Sequence, residues 1–138
     1  MPARDIYHDT VKKALMNDGW TITDDPLTLQ WGTKTVYVDL GAENLLAAEK
    51  SNRKIAVEIK SFIGKSETSD LQQALGQYVL YRNILEELEP ERTLFLAIPK
   101  GTFREVFNEA IGRLVTEKNF LKLMVFDTRK EVIDKWIE

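Results

Sequence analysis

Apolar and polar positions alternate along two short stretches, Val36-Tyr37-Val38-Asp39-Leu40 and Ile55-Ala56-Val57-Glu58-Ile59-Lys60. Side chains of a β-strand point to opposite faces with period two. Val36, Val38 and Leu40 are therefore expected on one face, with Asp39 on the other. In the second run Ile55, Val57 and Ile59 should share one face, while Glu58 and Lys60 share its opposite.

Around these strands the pattern predicts helix, strands, helix, strand, helix, strand, helix. Residues 4–18 carry Ile6, Tyr7, Val11, Ala14 and Leu15 at helical spacing, and Gly19 ends the run. Trp20-Thr21-Ile22-Thr23 reads as a strand that turns at Asp24-Asp25-Pro26. Residues 43–50 fit either a helix or a strand, and Ser51-Asn52 reads as a hairpin turn into a strand over 54–61. A long helix is expected over 69–88, capped by Ser69, with Asp70 in its first turn and Leu71, Ala74, Leu75, Tyr78 and Leu85 as its apolar stripe. A buried strand over 93–98, a helix over 103–117, a strand over 121–126 and a short helix over 129–137 complete the expectation. Alternation of this kind defines an α/β domain, a central mixed sheet flanked by helices.

The length of 138 residues suits one domain spanning 1–138. No apolar run approaches membrane-spanning length, and Met1-Pro2-Ala3-Arg4-Asp5 does not open like a signal peptide, so a cytoplasmic location is expected. The chain has no cysteine, which excludes disulfides, Cys-ligated zinc and a thiol nucleophile. Its net charge of -3 argues against coating nucleic acid by bulk electrostatics. Locally the balance reverses, because Lys50, Arg53, Lys54, Lys60 and Lys65 face a single acid, Glu58, over that stretch. Arg53, Lys54 and Lys65 are candidate phosphate-binding residues, and a solvated hairpin tip is the plainer reading of the same cluster.

Two acids and a lysine on neighbouring strands are the elements of a phosphodiester-cleaving site. Mg²⁺ prefers oxygen ligands and keeps several waters, so one or two carboxylates seat it. Asp39 and Glu58 are the candidate ligands, joined by the backbone carbonyl of Ile59. Lys60 would position a water or stabilise charge on the phosphate. Downstream, Gln73, Gln77 and Tyr81 recur at i, i+4 and i+8 and form one polar helix edge that can be aimed at the site. An exposed Glu-x-Lys pair on a half-buried sheet is the alternative for the tripeptide alone.

Asp39 followed by Glu58-Ile59-Lys60 resembles the D…(D/E)-x-K core of the restriction-endonuclease-like nucleases, and Gln77 with Tyr81 resembles the Q-x-x-x-Y helix motif of their RecB-like branch. These motifs cover residues 36–81. The resemblance implies an α-β-β-β-α-β core, with Asp39, Glu58, Lys60 and Gln77 as catalytic residues and Mg²⁺ as cofactor. Val38 stands where a proline-aspartate pair is common. Across the whole chain, Ala3-Arg4-Asp5-Ile6-Tyr7-His8, Val38-Asp39-Leu40-Gly41-Ala42-Glu43, Ala56-Val57-Glu58-Ile59-Lys60-Ser61-Phe62 and Ala74-Leu75-Gly76-Gln77-Tyr78 resemble the XisH family of cyanobacterial excision-controlling factors. That resemblance implies DNA element excision during heterocyst differentiation, alongside a site-specific recombinase and a XisI-like protein.

Asp5, His8, Glu43 and Tyr81 are further candidates for a supporting role around the acids. A capping or surface role is the alternative for Asp5 and His8, and a loop carboxylate for Glu43. Trp20, Trp31 and Trp136 read as core or interface residues rather than base-stacking platforms. DNA is the expected partner, self-association is compatible with the sequence, and a non-catalytic regulatory module is the competing function, favoured by the acidic net charge.

Overall fold

The computed structural model describes residues 4–46 and 51–138. Helix α1 spans His8–Asn17 and buries Val11, Ala14 and Leu15 along one stripe. It begins later than the apolar spacing suggests, because the Asp5 carboxylate holds the preceding segment, accepting from the Tyr7 N–H at 2.9 Å and the Ser61 N–H at 3.1 Å. Gly19, at φ +92°, then turns the chain into Trp20.

Strands β1 (Thr21–Asp24), β2 (Leu27–Trp31), β3 (Lys34–Val38), β4 (Leu40–Leu46) and β5 (Ser51–Ile59) follow. Helix α2 (Glu67–Leu88) leads to β6 (Arg92–Pro99), a single helical turn α3 (Lys100–Thr102) and a π-helical turn, Phe103–Phe107. Helix α4 (Ala110–Asn119), β7 (Leu123–Asp127) and β8 (Val132–Ile137) end the chain. The main sheet has the order β1-β4-β5-β6-β7-β8, and β2 and β3 form a separate hairpin. Pairings β5–β6 and β6–β7 are parallel and the others antiparallel, so the sheet is mixed, as expected.

Each face of the sheet carries its own core. On one, Val11 and Leu15 of α1 and Trp20 cover Leu40, Ile55, Val57, Phe95 and Phe126. On the other, Leu71, Tyr78 and Leu85 of α2 and the hairpin residues Leu27, Leu29 and Val38 cover Ala56, Leu94, Leu96 and Val125. Tyr78 bolts its helix to the sheet: its buried hydroxyl donates to the Leu94 carbonyl at 2.9 Å and accepts from the Lys122 N–H at 3.1 Å.

Several expectations need correction. The stretch 35–40 is not one strand: β3 ends at Val38 and β4 starts at Leu40, with Asp39 between them. Val38 and Leu40 consequently enter cores on opposite faces instead of sharing one. The hairpin strand β2 was absent from the expected order, although Leu27 and Leu29 are buried while Thr28 and Gln30 are exposed. Ser51-Asn52 is not a turn, since Ser51 pairs with Leu46 and Asn52 with Leu45; residues 43–46 are strand, and 47–50 lie outside the described residues. Helix α2 starts ahead of Ser69 because Ser66 is the cap, its hydroxyl accepting from the Ser69 N–H at 3.1 Å.

The helix expected over 103–117 is broken at Asn108 and Glu109. A Cβ on Gly112 would stand 2.1 Å from the Val106 carbonyl oxygen, so α4 packs directly on the π-helical turn where no side chain fits. The expected C-terminal helix is instead β8. A register irregularity opposite Val125 and Phe126 leaves Asp134 unpaired between Ile133 and Lys135. Ile133 and Trp136, three positions apart, then pack against the same core. An extra residue in one strand thus imitates helical spacing.

Candidate active site

Asp39 occupies the crossing point between the hairpin and the main sheet. Its neighbours pair in different ladders, Val38 with Leu27 and Leu40 with Val57. The N–H at this crossing finds a side chain: Asp39 donates to Glu58 Oε1 at 3.2 Å. In return the Asp39 carboxylate Oδ2 accepts from the N–H of Ile59, at the end of β5, at 2.8 Å. Two backbone donors thereby fix two carboxylates against each other.

Glu58 is only 8% exposed. Burial, followed by the negative charge of Asp39, raises its pKa to about 9; the Asp39 N–H and the charge of Lys60 oppose the shift. Asp39 is also raised, chiefly by burial, against the Ile59 N–H and the charge of His8. Near neutral pH, Glu58 therefore holds its proton in the free protein. A cation between the two would relieve the repulsion and favour ionisation of both.

Helix α2 supplies the wall above the pair. Tyr81 is buried, and its hydroxyl is pushed up to about 12 by burial, then by the charges of Glu58 and Asp39. Lys60 follows the strand end, its N–H bonded to the Ala97 carbonyl at 3.0 Å, and its ammonium donates to Gln73 Oε1. Gln77 is half-buried, one helical turn from both Gln73 and Tyr81. Asp39, Glu58, Lys60 and Tyr81 thus come to one region, with Gln77 one helical turn from Tyr81.

The remaining candidates divide. Asp5 and His8 lie close enough to act electrostatically on Asp39, Asp5 raising its pKa and His8 lowering it. His8 is 4% exposed; its Nε2 meets Asp25 Oδ1 at 2.7 Å, and Nδ1 has no partner. Lys12 adds a second bond to Asp25 at 2.8 Å. Burial would raise Asp25, but Lys12 and His8 together hold it below the usual carboxylate range.

Glu43 is neither a loop residue nor a neighbour of the pair. It sits on β4 opposite Lys54, with a carboxylate-to-ammonium distance of 3.6 Å. Lys54 is four residues before Glu58 on β5, roughly 13 Å along a strand. Arg53 pairs with Glu138 at 2.5 Å, at that same remote end, and Lys65 lies exposed in the connection to α2. Arg53 and Lys54 are therefore structural ion pairs rather than residues brought to the acids. Trp20 and Trp136 pack together with ring centroids 5.9 Å apart, whereas Trp31 is 52% exposed at the hairpin turn. Sequence reasoning missed Gln73 as the partner of Lys60, though it had placed Gln73 on the correct helix edge.

Among the described residues, no group of three His, Asp or Glu side chains is placed to hold a metal. A pair of carboxylates alone suits Mg²⁺, which keeps several waters, better than it suits an ion needing an all-protein cage. The donor chemistry therefore fits Mg²⁺.

Fold and site together define a mixed α/β protein with a paired-carboxylate centre at the crossing of two sheets. The XisH family model, described as XisH protein, matches residues 1–134, and the chain belongs to the XisH family. A crystal structure of a fdxN element excision controlling factor protein from Anabaena variabilis superposes with a TM-score of 0.89 at 40% identity, covering 98% of this chain and 100% of that one. An XisH family protein from Nostoc punctiforme PCC 73102 gives a TM-score of 0.87 at 40% identity over 97% of this chain and 100% of that chain. Among curated proteins, none matches this chain. No helix of the described residues is long and apolar enough to cross a membrane.

Proposed function

We propose that this protein acts on DNA in programmed element excision, as a Mg²⁺-dependent phosphodiester-cleaving enzyme with a restriction-endonuclease-like core. The observation that carries this reading is the reciprocal clamp between Asp39 and Glu58, which holds a half-buried and a buried carboxyl group together at electrostatic cost. Both acids have raised pKa values, and such perturbed acids concentrate at functional sites. The family's similarity to excision-controlling factors supplies the biological setting, with a XisI-like protein and a site-specific recombinase as the proposed partners.

Each residue has a defined task in this reading. Asp39 and Glu58 would hold the cation, a role for which Glu58 would have to give up its proton. When bound there, the ion would supply Lewis acidity toward a phosphoryl oxygen and toward a water. Lys60 leaves Gln73 and places its ammonium on the phosphate, where charge develops. Gln77 orients the water or phosphate from α2, and Tyr81 limits solvent access as a neutral phenol.

One observation favours a second reading, a non-catalytic module that regulates the recombinase through a XisI-like partner. Lys60 is already engaged by Gln73, as a lysine in a structural network would be. Incubation with duplex, nicked and branched DNA distinguishes the two. The enzymatic reading predicts Mg²⁺-dependent cleavage that is lost in Glu58→Gln and Lys60→Met. Undiminished cleavage in both variants refutes the residue assignment; no cleavage, together with a stable complex with the XisI-like protein and no metal binding, establishes the regulatory reading.

A further inference from the structure

A second polar feature opens at the same end of the sheet, just beyond the acids. It is a cleft of about 570 Å³ at the carboxyl ends of β6 and β7, bordered by Tyr7 and Ser61 on one side and by the turn after β6 on the other. Ligands of open α/β sheets gather at the carboxyl ends of strands. The sequence pattern gave no hint of this cleft, because its walls come from four distant segments.

Charge distinguishes this cleft from the rest of an acidic protein. Lys100, Arg104 and Arg129 line it, against Glu105 and Asp127. Asp127 is largely spent on its own turn, since Oδ1 accepts from the N–H groups of Arg129 and Lys130, both at 2.9 Å. Those bonds hold its carboxyl below the usual range, so it stays ionised, and the lining sets three cations against two anions. Lys100 is partly engaged by Asp134 at 3.7 Å. Arg104 and Arg129 are exposed and make no ion pair among the described residues. Two free guanidiniums with the hydroxyls of Ser61 and Thr128 offer planar, forked and rotating donors suited to phosphate oxygens.

Connectivity links the cleft to the acids. Ser61 follows Lys60 directly, and its N–H is held by Asp5, the residue whose charge reaches Asp39. Along an extended chain Ser61 lies roughly 10 Å from Glu58, about three nucleotide steps of duplex axis. The volume of about 570 Å³ has room for more than one phosphate-sized group.

We infer that this cleft seats the DNA backbone flanking the phosphodiester engaged at Asp39 and Glu58, with Arg104 and Arg129 as its main phosphate contacts and Lys100 as a weaker one. The inference rests on reading the acid pair as the place where a phosphodiester is engaged. It locates the cationic surface that the -3 net charge would otherwise deny a DNA-binding protein.

Binding is measured by fluorescence anisotropy of a labelled short duplex in EDTA, between about 50 and 200 mM salt, where phosphate contacts dominate affinity. The double variant Arg104→Ala/Arg129→Ala should lose at least about tenfold in affinity and lower the slope of log K against log salt by about two. Lys100→Ala should have a smaller effect. Both arginines are exposed, so thermal midpoints should stay at the wild-type value. Inorganic phosphate at matched ionic strength should not displace the duplex, whereas unlabelled duplex should. Unchanged affinity and salt slope in both the alanine and the Arg104→Glu/Arg129→Glu variants would overturn the inference, as would full displacement by inorganic phosphate. The failures are separable: DNA bound through the cleft without cleavage refutes only the nuclease reading, and cleavage with unaltered affinity in the charge-reversed variant refutes only this one.

Discussion

The N–H of Asp39 donates to Glu58 Oε1 at 3.2 Å, so the second acid of the pair holds the backbone that carries the first. The Ile59 N–H closes the arrangement by donating to Asp39 Oδ2 at 2.8 Å. The clamp arises because the chain changes sheets at Asp39, leaving a donor that neither ladder supplies with a partner. Local architecture and site chemistry therefore share one cause.

Stability should depend on pH through Glu58. Its pKa rises from 4.5 to about 9 on folding, so the folded state binds a proton that the unfolded chain releases. Folding stability is then greatest below the unfolded value and falls as pH rises toward about 9, by at most about 1.4 kcal/mol per pH unit for one proton. Glu58→Gln keeps an acceptor for the Asp39 N–H and removes the titration. Denaturant melts of the metal-free proteins at acidic and alkaline pH should show a flatter profile in the variant, which becomes the more stable protein at high pH.

Lys60→Met should separate chemistry from metal binding. The methionine keeps the apolar stem and loses the ammonium that meets Gln73. Loss of a donor that stabilises developing charge costs roughly a hundredfold or more in turnover. Mg²⁺ affinity should remain within a few-fold of the wild type, measured by calorimetry alongside a cleavage assay.

Tyr78→Phe should destabilise the fold without touching the site directly. Its hydroxyl serves both the Leu94 carbonyl and the Lys122 N–H. Stranding buried partners costs about 1–3 kcal/mol. The midpoint of chemical denaturation should drop accordingly at unchanged slope.

Gly112→Ala should cost more than an ordinary helix substitution, where alanine is the better residue. A Cβ there would stand 2.1 Å from the Val106 carbonyl oxygen and 2.5 Å from the Phe107 Cα, both backbone atoms. The π-helical turn and α4 must then move apart, and a loss of about 1–3 kcal/mol, typical of overpacking, is expected in thermal unfolding.

Much of this was legible in the sequence where local pattern and tertiary demand agree. The strand bearing Glu58, the long helix bearing Gln77 and Tyr81, and the buried strand Arg92–Pro99 follow from period and composition. The proximity of Asp39 and Glu58 also agrees with the expectation of neighbouring strands. The break at Asp39 was not legible, because Val36, Val38 and Leu40 keep perfect alternation while the chain crosses from one core to the other. Strand β8 is not legible because its register irregularity imitates helical spacing, and the ion pair of Lys54 with Glu43 is not legible because it is set by pairing between strands. Register of that kind is a property of two segments together, and neither segment states it alone.

Calorimetric titration with Mg²⁺ at pH 7 and near pH 9, in buffers of different ionisation enthalpy, tests the central claim most directly. The account predicts one bound ion, release of close to one proton at the lower pH, and tighter binding as pH rises toward about 9, because Glu58 must ionise to become a ligand. Glu58→Gln and Asp39→Asn should each abolish the binding heat while remaining folded. No Mg²⁺ binding by the wild type, or equal binding by both variants, would contradict it.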